Sequence, residues 1–201
     1  MYLETEGDHY HVLADAATAI KGVPGAVCEI GTRKGGSLGV IVNALEASGD
    51  HGRNVICVDP WGNIDYIHLN DQVETGKGYS NEMRNEAIPN IFNFIKTKPV
   101  NLQVFCLEDT EFFKRFADGV PFYNRAKVIE TQYALVYFDG PHGDAQVMAE
   151  MDFFLPRSVP GTHFVFDDTS WYNHKIVHER MLAEDWDFII DSGFKASYRK
   201  P

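Results

Sequence analysis

Cysteine is scarce in this chain. There are three, Cys28, Cys57 and Cys106, an odd count with no C-x-x-C pair. A zinc knuckle and a redox dithiol therefore have no support. Basic residues are also few: 18 Lys and Arg stand against 29 Asp and Glu, a formal charge of −11. A surface this acidic repels a phosphate backbone or an anionic bilayer, so neither nucleic acid nor membrane is an expected partner. No apolar run approaches the ~18–20 residues of a membrane helix. The start, MYLETEGDHYHVL, lacks the basic end and apolar centre of a signal peptide. A soluble cytoplasmic protein is the expectation. What remains is ordinary globular chemistry, 44% hydrophobic and 13% aromatic over 201 residues, enough for one domain with a substantial core.

Short apolar runs recur at Ala26–Ile30, Asn54–Val58, Leu102–Leu107, Ala134–Phe138 and His163–Phe166. They are continuous rather than alternating, as in strands buried on both faces of a parallel sheet. The three cysteines lie in the first three runs and read as small buried hydrophobes. Helical patterns fall at about Tyr10–Lys21, at Ser37–Ala47 before a Ser-Gly turn, at Asp144–Leu155 before Pro156, and at Lys175–Ala183. Asp187–Ile190 and Lys195–Tyr198, around Ser192-Gly193, read as a strand pair closing one edge. The expected fold is α/β, Rossmann-like: a doubly wound, mostly parallel sheet with helices on both faces and an antiparallel C-terminal edge. One domain spans 1–201. Trp61–Asn101 is too long for an ordinary βα connection and is expected to be a lid or substrate wall inserted in that domain.

The sharpest local signal is Glu29-Ile30-Gly31-Thr32-Arg33-Lys34-Gly35-Gly36-Ser37, directly after the first strand and opening a helix. Glycines permit the tight turn, and the free N–H groups of the helix start can hold an anion. Neither G-x-G-x-x-G nor G-x-x-x-x-G-K-[ST] is present, which argues against a dinucleotide or a nucleoside triphosphate. Asp59 ends the second strand, well placed for ribose hydroxyls, and Glu108-Asp109 end the third. A nucleoside that carries a carboxylate and no phosphate satisfies these features, and S-adenosylmethionine is such a molecule.

Two further acidic motifs follow. Asp139-Gly140-Pro141-His142-Gly143 ends the fourth strand, and Asp167-Asp168-Thr169 ends the fifth. In a parallel sheet both lie on the ligand-binding edge. Three converging carboxylates repel one another, and a hard divalent cation such as Mg²⁺ relieves that, with substrate hydroxyls completing its shell. No Lys or Arg lies within either motif. His142 is a candidate general base, since an imidazole's ordinary pKa is about 6.5.

The E-x-G-x-x-x-G-G-S turn with Asp59, then D-G-x-H and Asp167-Asp168, resembles the class I S-adenosylmethionine-dependent methyltransferases. The resemblance is to the metal-dependent macrocin/mycinamicin sugar O-methyltransferases and the cephalosporin hydroxylase-like group, over roughly Ala26 to Thr169. It implies a cofactor site of Glu29, Gly31, Thr32, Gly35, Gly36, Ser37, Asp59, Glu108 and Asp109. In that site Ser37 meets the methionine carboxylate, Asp59 the ribose and Asp109 the adenine amino group. It implies Mg²⁺ on Asp139, Asp167 and Asp168, and catalysis by Asp139 and His142. Some members carry a second acid two residues after the first and use it as base; here that position is Pro141. The function so implied is O-methylation of a small-molecule hydroxyl: sugar, polyol or catechol-like. Metal-free N- or C-methylation and a catalytically silent cofactor-binding subunit stand as alternatives. Tyr66, Tyr79, Phe92, Phe94, Phe122, Tyr123, Trp171 and Tyr172, in the insert or after the acidic motifs, are candidates to line an acceptor pocket or to pack a lid or a subunit interface, and a homo-oligomer is an open expectation.

Overall fold

Continuous apolar runs become strands because both faces of each are covered. The computed structural model describes residues 3–5, 7–68, 72–74 and 78–201, and the side chains of all of these except 66–68 and 72–74. In chain order the elements are α1 (Tyr10–Ala19), β1 (Ala26–Ile30), α2 (Gly36–Ser48), β2 (Arg53–Val58), β3 (Tyr66–His68), β4 (Gln72–Glu74), α3 (Asn81–Ile95) and β5 (Val100–Phe105). Then come α4 (Asp109–Arg115), β6 (Val120–Asn124), β7 (Ala126–Glu130), β8 (Tyr133–Phe138), α5 (Asp144–Phe154), β9 (Ser158–Phe166), α6 (His174–Ala183), β10 (Asp187–Asp191) and β11 (Ala196–Arg199).

One seven-stranded sheet has the order β10-β11-β9-β8-β1-β2-β5. Strands β9, β8, β1, β2 and β5 run parallel, while β11 is antiparallel to β9 and β10 to β11. This is the expected doubly wound sheet with its antiparallel C-terminal edge. Alternate residues of each central strand feed opposite cores. Cys28, Ile30, Val136 and Phe138 meet Phe112, Met151, Phe154 and Met181 of α4, α5 and α6. Val27, Leu135 and Tyr137 meet Leu13, Leu38, Ile41 and Ile91 of α1, α2 and α3. Among the described residues no helix is long and apolar enough to cross a membrane.

Three expectations need correction. Cys106 is exposed, unlike Cys28 and Cys57. It lies one residue beyond β5, the half-buried outermost strand, so nothing packs over it as over the central strands. Pro89 reads as a break in the apolar segment that contains it, yet α3 runs through it. Its buried face of Ala87, Ile91 and Phe94 holds it to the sheet. The hairpins β3–β4 and β6–β7 and the short helix α4 are additional to the elements expected. Trp61–Asn101 thus divides into a cavity wall, discussed next, and a core helix. Residues 69–71 and 75–77, on which part of the expected lid falls, lie outside the described residues.

Candidate active site

Strand register builds the site. Val58, Ile30, Phe138 and Phe166 align across β2, β1, β8 and β9. The residues one step beyond, Asp59, Gly31, Asp139 and Asp167, therefore form a row at the carboxyl edge. Their N–H groups extend the ladder: Gly31 donates to Val58, Asp139 to Ile30 and Asp167 to Phe138. The carboxyl edge is where open α/β sheets bind ligands. Antiparallel pairing of Ala196 with Phe166 sets Lys195 opposite Asp167.

Gly31 sits at φ 86°, and a Cβ there would lie 1.8 Å from the Asp139 carbonyl oxygen. The turn is glycine because the exit of β8 presses against it. Helix α2 then starts at Gly36, with no capping side chain among the described residues. The N-terminal N–H groups of this 13-residue helix are available to an anion. Asp59 braces the same turn. Its Oδ2 accepts from Arg33 N at 2.7 Å and its Oδ1 from Trp61 N at 2.9 Å. Burial pushes its pKa up to about 6 against the pull of those backbone donors. The acid expected at the ribose is therefore first a strut of the turn, although it still faces the cavity.

Behind the turn, Glu29 is wholly buried, and Cys57 Sγ donates to its Oε2 at 3.5 Å. By distance and angle, neither Glu29 Oε1 nor Thr32 Oγ1 has a hydrogen-bond partner among the described residues. Ser37, Cys57 and Thr32 lie near enough to lower the pKa of Glu29, but burial outweighs them and pushes it up to about 7. A raised carboxyl pKa makes the folded state bind the extra proton. The stability this contributes is full below the ordinary value of 4.5 and is lost as pH rises through about 7. Relative to Glu29→Gln, the wild type should lose on the order of 3 kcal/mol between about pH 5 and about pH 8. Urea unfolding across that range measures it, and a gap that does not change with pH would contradict the assignment.

Two cavities open on this edge. One, of about 460 Å³, is walled by Ile30, Val58, Trp61, Ile64, Tyr79 and Leu107, with Asp59, Asp65, Glu108, Asp109 and Gln146 among its polar residues. Burial raises the pKa of Asp109, whose Oδ1 accepts from Thr110 N at 2.7 Å at the start of α4. The other, of about 510 Å³, is lined by Tyr10, Thr32, Gly36, Ser37, His142, Asp167, Asp168, Trp171 and Lys195 among others. Gly31, Tyr79 and Asp139 border both. Every expected cofactor residue lines one cavity or the other except Glu29, buried behind the turn, and Gly35, whose position is set against Ile91 of α3. Of the other aromatic residues after the strands, Phe94, Phe122 and Tyr172 pack in the core, while Phe92 and Tyr123 are exposed. The side chain of Tyr66 lies outside the described residues.

At the second cavity Asp139 is half-buried, and burial first, then the charge of Asp167, holds its carboxyl well above the usual range. Asp167 Oδ1 accepts from Lys195 Nζ at 2.5 Å and from Asp168 N at 2.9 Å, and its Oδ2 accepts from Tyr137 OH at 2.6 Å. Asp168 adopts a left-handed backbone at φ 48°, and its Oδ2 lies 3.8 Å from His142 Nδ1. That is ion-pair range rather than hydrogen-bond range. The His142 ring is buried and stacked on Tyr172, with centroids 5.7 Å apart.

A family model described as a methyltransferase domain matches residues 28–169, from within β1 to just past β9. The chain belongs to that family. It is an S-adenosylmethionine-dependent methyltransferase. Among solved structures it is similar to CalS11, a calicheamicin methyltransferase, with a TM-score of 0.65 at 15% identity over 94% of this chain and 77% of that one. It is also similar to the O-methyltransferase NovP, with a TM-score of 0.63 at 17% identity over 95% and 78% of the two chains. An O-methyltransferase from Bacillus cereus in complex with SAH aligns with a TM-score of 0.58 at 14% identity, over 98% and 84%. At these identities the likeness is one of fold. No curated protein matches the sequence.

The methyltransferase has features that suit S-adenosylmethionine: an uncapped helix start, a buried Thr32 hydroxyl with no hydrogen-bond partner by distance and angle among the described residues, and an apolar slot with acids at its rim. A divalent cation fits less well. Both oxygens of Asp167 are engaged, one of them by an ammonium. Among the described residues no group of three or more His, Cys, Asp or Glu is arranged to hold a metal. Asp139, Asp167 and Asp168, the residues of the expected Mg²⁺ site, border the same cavity, but with Asp167 paired to Lys195 their donor set is a poor fit for a cation in this arrangement. Sequence reasoning missed Lys195 and Tyr137. The register of an antiparallel last strand beside the fifth run was the available signal for Lys195.

Proposed function

We propose that this methyltransferase transfers a methyl group to a hydroxyl of a small molecule, a sugar, polyol or catechol-like acceptor. The observation that carries the reading is the junction of the two cavities at Gly31, Tyr79 and Asp139. One chamber suits a nucleoside, and the other holds a buried histidine among acids and a lysine. The cofactor spans that junction: the α2 start with Ser37, at the edge of the second chamber, receives the carboxylate, and in the first Asp59 takes the ribose hydroxyls and Asp109, with Glu108 beside it, the adenine amino group. Bound S-adenosylmethionine supplies an electrophilic methyl group on a sulfonium.

The residues of the second chamber act on the acceptor. A hydroxyl is a poor nucleophile until its proton leaves. His142 lies in the chamber and is suited to take that proton, with Asp168 stabilising the imidazolium that results. Walls that fix the approach of the acceptor supply the larger part of what such a displacement needs. Tyr10 and Trp171 offer aromatic faces to a sugar or ring.

Within this fold the second CalS11 structure is titled a TDP-rhamnose 3'-O-methyltransferase, so sugar hydroxyls head the acceptor panel. Isotopically labelled methyl from S-adenosylmethionine should appear as a methyl ether on a sugar nucleotide, polyol or catechol. Label found instead on an amine nitrogen or a carbon would contradict the reading.

A further inference from the structure

The ion pair between Lys195 and Asp167 lies where carboxylates gather at the sheet edge, and neither partner is placed there by chance contact. Antiparallel register sets Lys195 across from Asp167. The N–H of Thr169 donates to Phe194 O at 3.0 Å and extends that pairing past the end of β9. Lys195 Nζ reaches Asp167 Oδ1 at 2.5 Å, and both side chains are at least nine-tenths buried. The ammonium also lies 4.5 Å from the centre of the Tyr10 ring and 6.0 Å from that of Tyr137. Two aromatic faces thus hold it by cation–π attraction. Tyr137 OH occupies the other oxygen of Asp167.

A buried ammonium is costly unless paired, and here Asp167 pairs it. The cation nevertheless lines the acceptor cavity, together with His142, Asp139 and Asp168. An ammonium has three donors, and one is spent on Asp167. Among the described residues Nζ makes no second hydrogen bond, and Lys195 lines the chamber.

We propose that Lys195 is the resident cation of this active site. It supplies the positive charge that a divalent ion would supply to the acceptor oxygen, and by holding Asp167 it keeps such an ion out. The inference rests on the second cavity being the acceptor chamber. The charge balance of the step is simple. The acceptor O–H proton passes to His142, the new O–CH₃ bond forms as the S–CH₃ bond breaks, and the S–CH₃ electron pair returns to sulfur. Lys195 keeps its proton throughout and stabilises the oxygen's developing negative charge.

Mn²⁺ alone is the probe, titrated into the full chain with saturating S-adenosylhomocysteine and followed by the spectroscopic signal of free Mn²⁺. The wild type should leave that signal undiminished. Lys195→Met, which frees the carboxylate, should take up one ion per chain, and Lys195→Met with Asp167→Asn should lose it again. Because Lys195→Met leaves Asp167 buried without its cation, unfolding midpoints are followed in parallel. Mn²⁺ should raise the midpoint of Lys195→Met and leave that of the wild type unchanged. One ion bound by the wild type would overturn the proposal, and so would Lys195→Met that neither binds Mn²⁺ nor is stabilised by it. Calorimetry with S-adenosylhomocysteine on the same samples separates the two readings. Its failure in the wild type would remove the methyltransferase site itself, whatever the metal result.

Discussion

Gly31→Val is expected to weaken S-adenosylmethionine binding by at least about 10²-fold. Displacing the turn forfeits two or more hydrogen bonds to charged groups, each worth about 1.5–3 kcal/mol. The displacement is unavoidable. Even a Cβ at this position would stand 1.8 Å from the Asp139 carbonyl oxygen and 2.4 Å from its carbon, both backbone atoms. Either β8 shifts away, carrying Asp139 with it, or the turn swings into the cofactor slot. Gly22→Val is the control: it has φ 81° and nothing within 4 Å of its Cβ. It carries the same left-handed strain, about 1–2 kcal/mol, without the collision. Calorimetry with S-adenosylmethionine on both variants checks the claim. Unchanged affinity in Gly31→Val would remove the Gly turn from the site.

His142→Ala is expected to lower turnover by about 10²–10⁴-fold, the usual share of a general base, while cofactor affinity stays at the wild-type level. The residue sits on the loop between β8 and α5, buried against Tyr172 and within ion-pair range of Asp168. It borders the acceptor cavity and does not border the apolar slot. That placement is why the two readouts should separate. The wild-type rate should rise with pH as the imidazole loses its proton, and the variant should lack that limb. Full activity with an unaltered profile would leave proton removal to another group.

The parallel core was legible because its strands are covered on both faces, so burial imprints itself on the sequence without competition. Ala26–Ile30 matches β1 residue for residue, and the other four runs fall within or overlap β2, β5, β8 and β9. The antiparallel tail was legible from the turn at Ser192-Gly193. Helix α3 was not, because Pro89 reads as a break while the buried face that overrides it belongs to tertiary packing. The hairpin β6–β7 also escaped. Its second strand is almost wholly exposed, so it lacks a hydrophobic signature.

The candidate site divides along the same line. Gly31, Asp59, Asp139, His142 and Asp167 each follow a strand directly or within a few residues, and the row at the carboxyl edge assembles them as their motifs suggest. Lys195 escaped because its partner lies 28 residues away and the pairing depends on β11 running antiparallel to β9. A reading confined to the two acidic motifs saw three carboxylates without a cation and supplied a metal. Trp61 was likewise hidden: it is fully buried, with its indole N–H donating to Arg33 O at 3.1 Å behind the turn.

The most direct test of the central claim is a calorimetric titration of the wild-type chain with S-adenosylhomocysteine. One molecule should bind per chain, with binding retained in His142→Ala and lost in Gly31→Val. A folded wild-type protein that takes up no S-adenosylhomocysteine at saturating concentration would contradict the account.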